Sequence, residues 1–181
     1  MKGRLNMLWV WLCRMGCSRG FGIQSPTDYA FVRYVINEHW PYYAYDELDN
    51  LAHNATERKL GRLYFRLANW RQPSVMLRDE YEAWWHAGCR KMRLTDYPQE
   101  AMGNRGTFQL ARITIEDDAD LLLRHADEES VLVVEGIHRN TERWRHIKEC
   151  EQVTITYDLY YCGIVLFDSH QIGRASCRER V

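Results

Sequence analysis

The chain has 181 residues with a formal charge of −1, a length that accommodates one domain with a substantial core. So even a charge balance makes no electrostatic case for nucleic acid or for an anionic membrane surface. Seven Trp and eleven Tyr point to extensive aromatic packing, a stacking pocket being the alternative.

The N-terminal stretch KGRLNMLWVWLC carries an apolar run from Met7 to Cys13. It is too short to span a bilayer, and no small-residue cleavage site follows. An amphipathic helix docking on the domain is the expectation, with a membrane-surface anchor as the other reading. Six cysteines occur, at positions 13, 17, 89, 150, 162 and 177, with no CxxC pair and no zinc spacing. Free thiols in such a chain fit a reducing cytoplasm.

Gly20-Phe21-Gly22-Ile23 is a turn. Ser25-Pro26-Thr27-Asp28 then opens a helix, with serine as cap and proline in the first position. That helix carries Tyr29, Phe31, Val32, Val35 and Ile36 and ends before Pro41. The aromatic loop Trp40 to Tyr45 is expected to pack on the core, lining a pocket being the alternative. Thr56 is read as the cap of a second helix with Leu60, Leu63, Tyr64, Leu67 and Ala68 on its apolar face. Arg58, Lys59, Arg62 and Arg66 form a basic stripe, read as a solvated face.

Beyond Pro73, strands and helices alternate. Ser74 to Leu77 is a strand, and Asp79 with Glu82 reads as a capping box opening a helix to Gly88. Lys91 to Thr95 is the next strand, closed by Asp96, and Pro98 to Gly106 is a loop. Phe108 to Ile115 is a strand ending in Glu116-Asp117, and Leu121 to Glu129 is helical. Val131 to Val134 runs without alternation, as a strand buried on both faces does. Glu135, His138 and Arg139 follow it, where ligands bind in open α/β sheets. A helix from Asn140 to Cys150 precedes two strands, Val153 to Asp158 and Gly163 to Phe167, close enough for an antiparallel hairpin.

The expected fold is therefore α/β: a doubly wound, mainly parallel Rossmann-like sheet ending in an antiparallel hairpin, with an N-terminal helical extension. Residues 1–72 form the extension and 73–171 a compressed core. The span between Asp96 and Phe108 is too short for a crossover helix plus another strand, so an edge strand is absent or rudimentary. Residues 172–181, IGRASCRERV, break from the preceding pattern and back-translate into a widely used sequencing-adapter stretch. They are read as a non-native read-through tail.

The blocks GFGIQSPTDYAFVRYVI, GRLYFRLANWRQP, VLVVEGIHRN and YDLYYCGIVLF resemble a bacterial family of class I S-adenosylmethionine-dependent methyltransferases over roughly residues 19 to 171. The resemblance implies a cofactor loop after the first strand, where glycines admit the backbone to the cofactor. Here that loop reads Leu77-Arg78-Asp79-Glu80-Tyr81, with no glycine until Gly88. It also implies cofactor contacts from Arg78 and Asp79, a ribose contact from Asp96, and adenine or substrate contacts from Glu116 and Asp117. Glu135 and His138 are implied as catalytic groups, either serving as general base. Glu135-Gly136 replaces the usual acidic pair, so no metal ligand is assigned. Two functions remain open: methyl transfer to a small-molecule or protein acceptor, or an inactive methyltransferase fold acting as a binding or scaffold protein. Asp79-Glu80 favours the second, since it places negative charge where the cofactor's carboxylate belongs. The substrate and oligomeric state are left unassigned.

Overall fold

The computed structural model describes residues 26–102, 106–167 and the backbone of 175–178. The N-terminal docking-helix expectation and the turn at Gly20 lie outside these residues. Helix α1 (Pro26–Phe31) begins at the predicted proline and passes into a π-helical turn, Val32–Ile36. Helix α2 (Ala44–Leu48) follows the aromatic loop, and the long helix α3 spans Ala55–Arg71. Its cap is Asn54, not Thr56: the Asn54 carboxamide oxygen accepts from the amides of Thr56 and Glu57 at 3.0 and 2.9 Å. Asparagine at this position satisfies two of the amides that the first turn leaves without partners.

The core elements then appear in the expected order, mostly shorter than their sequence patterns. They are β1 (Val75–Leu77), α4 (Glu82–Gly88), β2 (Arg93–Thr95), a short helix α5 (Pro98–Ala101) in the predicted loop, and β3 (Leu110–Thr114). After them come α6 (Asp120–Arg124), β4 (Val131–Glu135), α7 (Thr141–Glu149), β5 (Ile155–Asp158) and β6 (Cys162–Leu166). Residues Ala175–Arg178 form a strand, β7, paired parallel with β5. These four residues lie within the segment 172–181 and run beside β5.

The strands are ordered β3-β4-β6-β5-β7 in one hydrogen-bonded sheet, while β1 and β2 pair parallel beside it. The two sets are joined by side chain, the Gln109 carboxamide accepting from the amide and hydroxyl of Ser74 at 2.6 and 2.9 Å. β3 and β4 are parallel, and β6 enters antiparallel between β4 and β5. This is the doubly wound sheet with its closing hairpin. Among the described residues no strand lies between β2 and β3, as the short connection requires.

Strand parity divides the core. Val131 and Val133 face one apolar cluster with the N-terminal helices and α4, while Leu132 and Val134 face the other with Trp144 and Ile147. All four are at most 1% exposed, so the unbroken apolar run is explained by cover on both faces. The N-terminal helices join the first cluster through polar as well as apolar contacts. Arg66, read from its spacing as part of a solvated stripe, is buried. Its Nε donates to the carbonyl of Val35 at 2.6 Å and its Nη2 to that of Ile36 at 3.1 Å. It thus closes the C-terminal carbonyls of the preceding helical turn. Gly61 and Gly88 let α3 and α4 approach. A Cβ at Gly61 would fall 2.4 Å from the Trp84 ring, and one at Gly88 2.2 Å from the Phe65 carbonyl oxygen.

Candidate functional site

In a doubly wound sheet the ligand crevice opens at the carboxyl ends of the strands where the winding reverses. Here β1 leads outward to β2, whereas β3 leads the other way to β4, so the reversal lies between β1 and β3. The residues at its rim are Arg78 to Tyr81 after β1, Ile115 to Asp117 after β3, and Glu135 with Gly136 at the end of β4.

The centre of this crevice is held by Arg112, a residue outside the sequence-level site. Parity places it there: Arg112 follows Leu110 on one face of β3, as Glu135 follows Val131 and Val133 on the same face of β4. Its side chain is only 6% exposed. Nη2 donates to Glu135 Oε2 at 2.6 Å and to Glu80 Oε1 at 2.6 Å, Nε reaches Glu135 Oε2 at 2.9 Å, and Nη1 lies 3.6 Å from Asp79 Oδ2. The guanidinium also sits over the Tyr81 ring, 4.8 Å from its centroid, and 5.8 Å from that of Tyr64. Burial works against the arginine's charge, but the facing Tyr64 and Glu135 outweigh it and hold its pKa above the ordinary value.

The partners are fixed in turn. The Tyr64 hydroxyl donates to Glu135 Oε2 at 2.9 Å, and its ring stacks on Trp85 at 4.6 Å. Trp85 Nε1 donates to both Asp79 carboxylate oxygens at 2.9 and 3.0 Å, and the Tyr81 amide donates to Oδ1 at 2.8 Å. Burial raises the Asp79 pKa, with Arg112 and Trp85 pulling it back. Burial likewise lifts the Tyr64, Tyr81 and Cys162 pKa values. Asp79 therefore anchors the turn and the indole. The predicted capping box does not form: Tyr81 is the residue before α4, and the Glu82 carboxylate pairs with Arg78 at 2.5 Å instead.

The other predicted site residues lie apart from this cluster. Arg78 bridges Glu82 and Asp96, the latter at 3.1 Å, with all three side chains substantially exposed. Glu116 and Asp117 are exposed, their backbone carbonyls accepting from Arg143 at 2.8 and 3.4 Å. The Asp117 carboxylate is taken by Thr114 through its amide and hydroxyl, at 2.7 and 2.9 Å. Arg143 is thus engaged with the β3 rim. Glu135 is held by Arg112 and Tyr64 rather than by the nearby Arg139 or Arg143. His138 stacks on Tyr160 at 5.0 Å and meets the edge of Tyr161 at 5.3 Å. Its Nδ1 is buried without a hydrogen-bond partner. Burial, with Arg139 nearby, lowers its pKa and favours the neutral ring. Tyr160 holds a left-handed backbone, φ 73°, a conformation uncommon for a bulky residue. Of the seven predicted residues, then, Asp79 and Glu135 meet through one cation and the remaining five do not join them.

No known family model matches the sequence, and no curated protein does either. Among solved structures the chain is similar to the S-adenosylhomocysteine-bound methyltransferase PaMTH1 of Podospora anserina. The TM-score is 0.50 at 12% identity, over 80% of this chain and 96% of that one. It is also similar to a methyltransferase from Geobacter sulfurreducens, with a TM-score of 0.47 at 15% identity over 72% of this chain and 92% of that one. The fold is that of the class I methyltransferases.

Proposed function

We propose that this chain is a methyltransferase-fold protein that does not transfer methyl groups, and that it serves as a binding or scaffold module. The observation supporting this reading is the Arg112 cluster. S-adenosylmethionine, which the fold implies, does not fit the residues present. Its amino-acid end needs a glycine-lined turn after β1, whereas here the buried Tyr81 and the anchored Asp79 fill that turn. The guanidinium of Arg112 joins the β1 turn to the end of β4 across the same crevice. Two carboxylates, Asp79 and Glu80, would also face the cofactor's own carboxylate. Fold similarity carries no chemistry past such a change of site.

A second reading keeps the enzyme. His138 has an unpartnered buried Nδ1 and an environment favouring the neutral imidazole, the form a general base needs. In that reading His138 accepts the acceptor's proton, Glu135 being already committed to Arg112 and Tyr64. Calorimetry on the full chain separates the two. No heat with millimolar S-adenosylmethionine or S-adenosylhomocysteine is expected, and micromolar binding of either refutes the proposal.

A further inference from the structure

A second cavity lies away from the crevice, between the loop after the first helical segment, α2 and one face of α3. Its volume is about 400 Å³, within the range that holds a small organic ligand. Trp40, Tyr42 and Tyr45 supply flat apolar wall, with Trp40 68% exposed and Tyr45 buried. Tyr42 and Tyr45 are held edge to face at 5.3 Å and both pack on Phe65, so this wall is preformed. Arg66 lies on the same cavity and is 7% exposed.

The arginine's bonding is incomplete. Nε and Nη2 donate to the Val35 and Ile36 carbonyls, and Nη1 makes a long contact of 3.4 Å to the Tyr45 hydroxyl. These engage three of the five N–H groups a guanidinium offers. Among the described residues no carboxylate pairs with it. Arg62, one turn earlier, is neutralised by Asp49, and the acids on the wall, Glu38 and Asp46, make no ion pair with Arg66. A buried cation without a counter-ion is costly unless an anion reaches it. Lys59 adds a further positive group to the wall.

We infer that this cavity binds a small aromatic anion, a planar ring carrying a carboxylate or similar group. The anion meets Arg66, and the ring lies against Tyr45, Tyr42 and Trp40. A bare inorganic anion would leave the aromatic wall unused, and a neutral aromatic would leave the guanidinium uncompensated. The inference is independent of whether the crevice between β1 and β3 accepts a cofactor.

The test uses the full chain with two probes of one shape, 2-naphthoate and uncharged 2-naphthylmethanol, titrated by calorimetry. Naphthoate is expected to bind more tightly by about tenfold, the scale of one charge-assisted hydrogen-bonded contact. Trp40→Ala should weaken both probes. Arg66→Gln should abolish the preference for the charged probe. Because that variant also removes a structural contact, Lys59→Met, on the exposed part of the helix, provides a second reading and should reduce the preference. Equal affinity of the two probes in the wild type overturns the inference. So does absence of naphthoate binding at millimolar concentration, or a charge preference unchanged in both variants.

Discussion

Replacing Arg112 by methionine tests the reading of the crevice most directly. Methionine retains the unbranched stem that packs beside Tyr81 and Tyr64 and deletes only the cation. Two of the three acids it faces are well shielded, Asp79 at 14% and Glu135 at 22% side-chain exposure, while Glu80 is 69% exposed and counts for little. Leaving a buried charge without its partner costs about 3–5 kcal/mol. The lower end applies here, because Tyr64 and Trp85 still donate to the two carboxylates. A loss of about 3 kcal/mol near neutral pH follows, equivalent to about 6–12 °C in melting temperature for a chain of this size. The loss should depend on pH in a determined direction. The Asp79 pKa in the folded state is already raised by burial. Its contribution to stability is therefore fully present below its unfolded pKa and is lost as pH rises through the folded value. Removing Arg112 raises that folded value further, so the deficit is fully present above it and shrinks as the pH falls below the folded value of the unchanged chain. Urea denaturation of both proteins at several pH values measures it. A deficit below about 1 kcal/mol at neutral pH, or one that is flat with pH, would show that Arg112 does not hold the crevice together.

Other substitutions probe the same framework. Adding Glu135→Leu to Arg112→Met removes a stranded carboxylate along with its cation, so the double variant should recover about half of the single variant's deficit in the same denaturation assay; additive losses would contradict the pairing. Gly88→Ala drives a Cβ into the Phe65 carbonyl and should cost about 2–3 kcal/mol. Gly136→Ala meets nothing closer than 3.5 Å, so its cost of about 1–2 kcal/mol comes from the φ of 78° alone. Arg66→Met frees two helix-end carbonyls and should destabilise by about 2 kcal/mol, with hydrogen exchange at 32–37 accelerating before the sheet opens. Asp96→Ala should leave the denaturation midpoint unchanged, because the Arg78–Asp96 pair is solvent-exposed; a large shift would mean that Asp96 has a partner of greater consequence.

The architecture was legible wherever one chain segment states its own environment. Val131 to Val134 needs cover on both faces whatever it packs against, and the connection from Asp96 to Phe108 is too short for a further strand by geometry alone. Side-chain roles that depend on a distant partner were not legible. In FQLARITI, Arg112 reads as an ordinary polar alternation; only the pairing of β3 with β4 sets it beside Glu135, and Tyr64 of α3 and Tyr81 of the β1 turn cover its guanidinium. The available signal was parity, since Leu110 and Arg112 share a face with Val131, Val133 and Glu135. Arg66 was misplaced for a related reason. Helical spacing puts it near the exposed Arg58 and Lys59, yet the preceding helical segment ends against it and takes its donors. Thr56 was displaced as cap by Asn54 because two polar residues compete near one helix start and the chain's entry angle decides between them.

On the proposed reading, the same dependence lets a crevice of this fold differ in contents without the fold changing. A reversal point in a doubly wound sheet leaves a gap between neighbouring strand ends that something must fill. Where a turn after the first strand carries glycine, the backbone can draw back and leave room for a ligand. In this chain the turn carries Asp79 and Tyr81, whose side chains close the gap from one side while Tyr64 and Trp85 brace it from the helices. Three acids brought together there would repel one another, and a single arginine on β3 relieves that repulsion. Arg112 and the acidic turn are thus one structural solution: either part alone would leave an unpaired buried charge, and together they make the crevice part of the core.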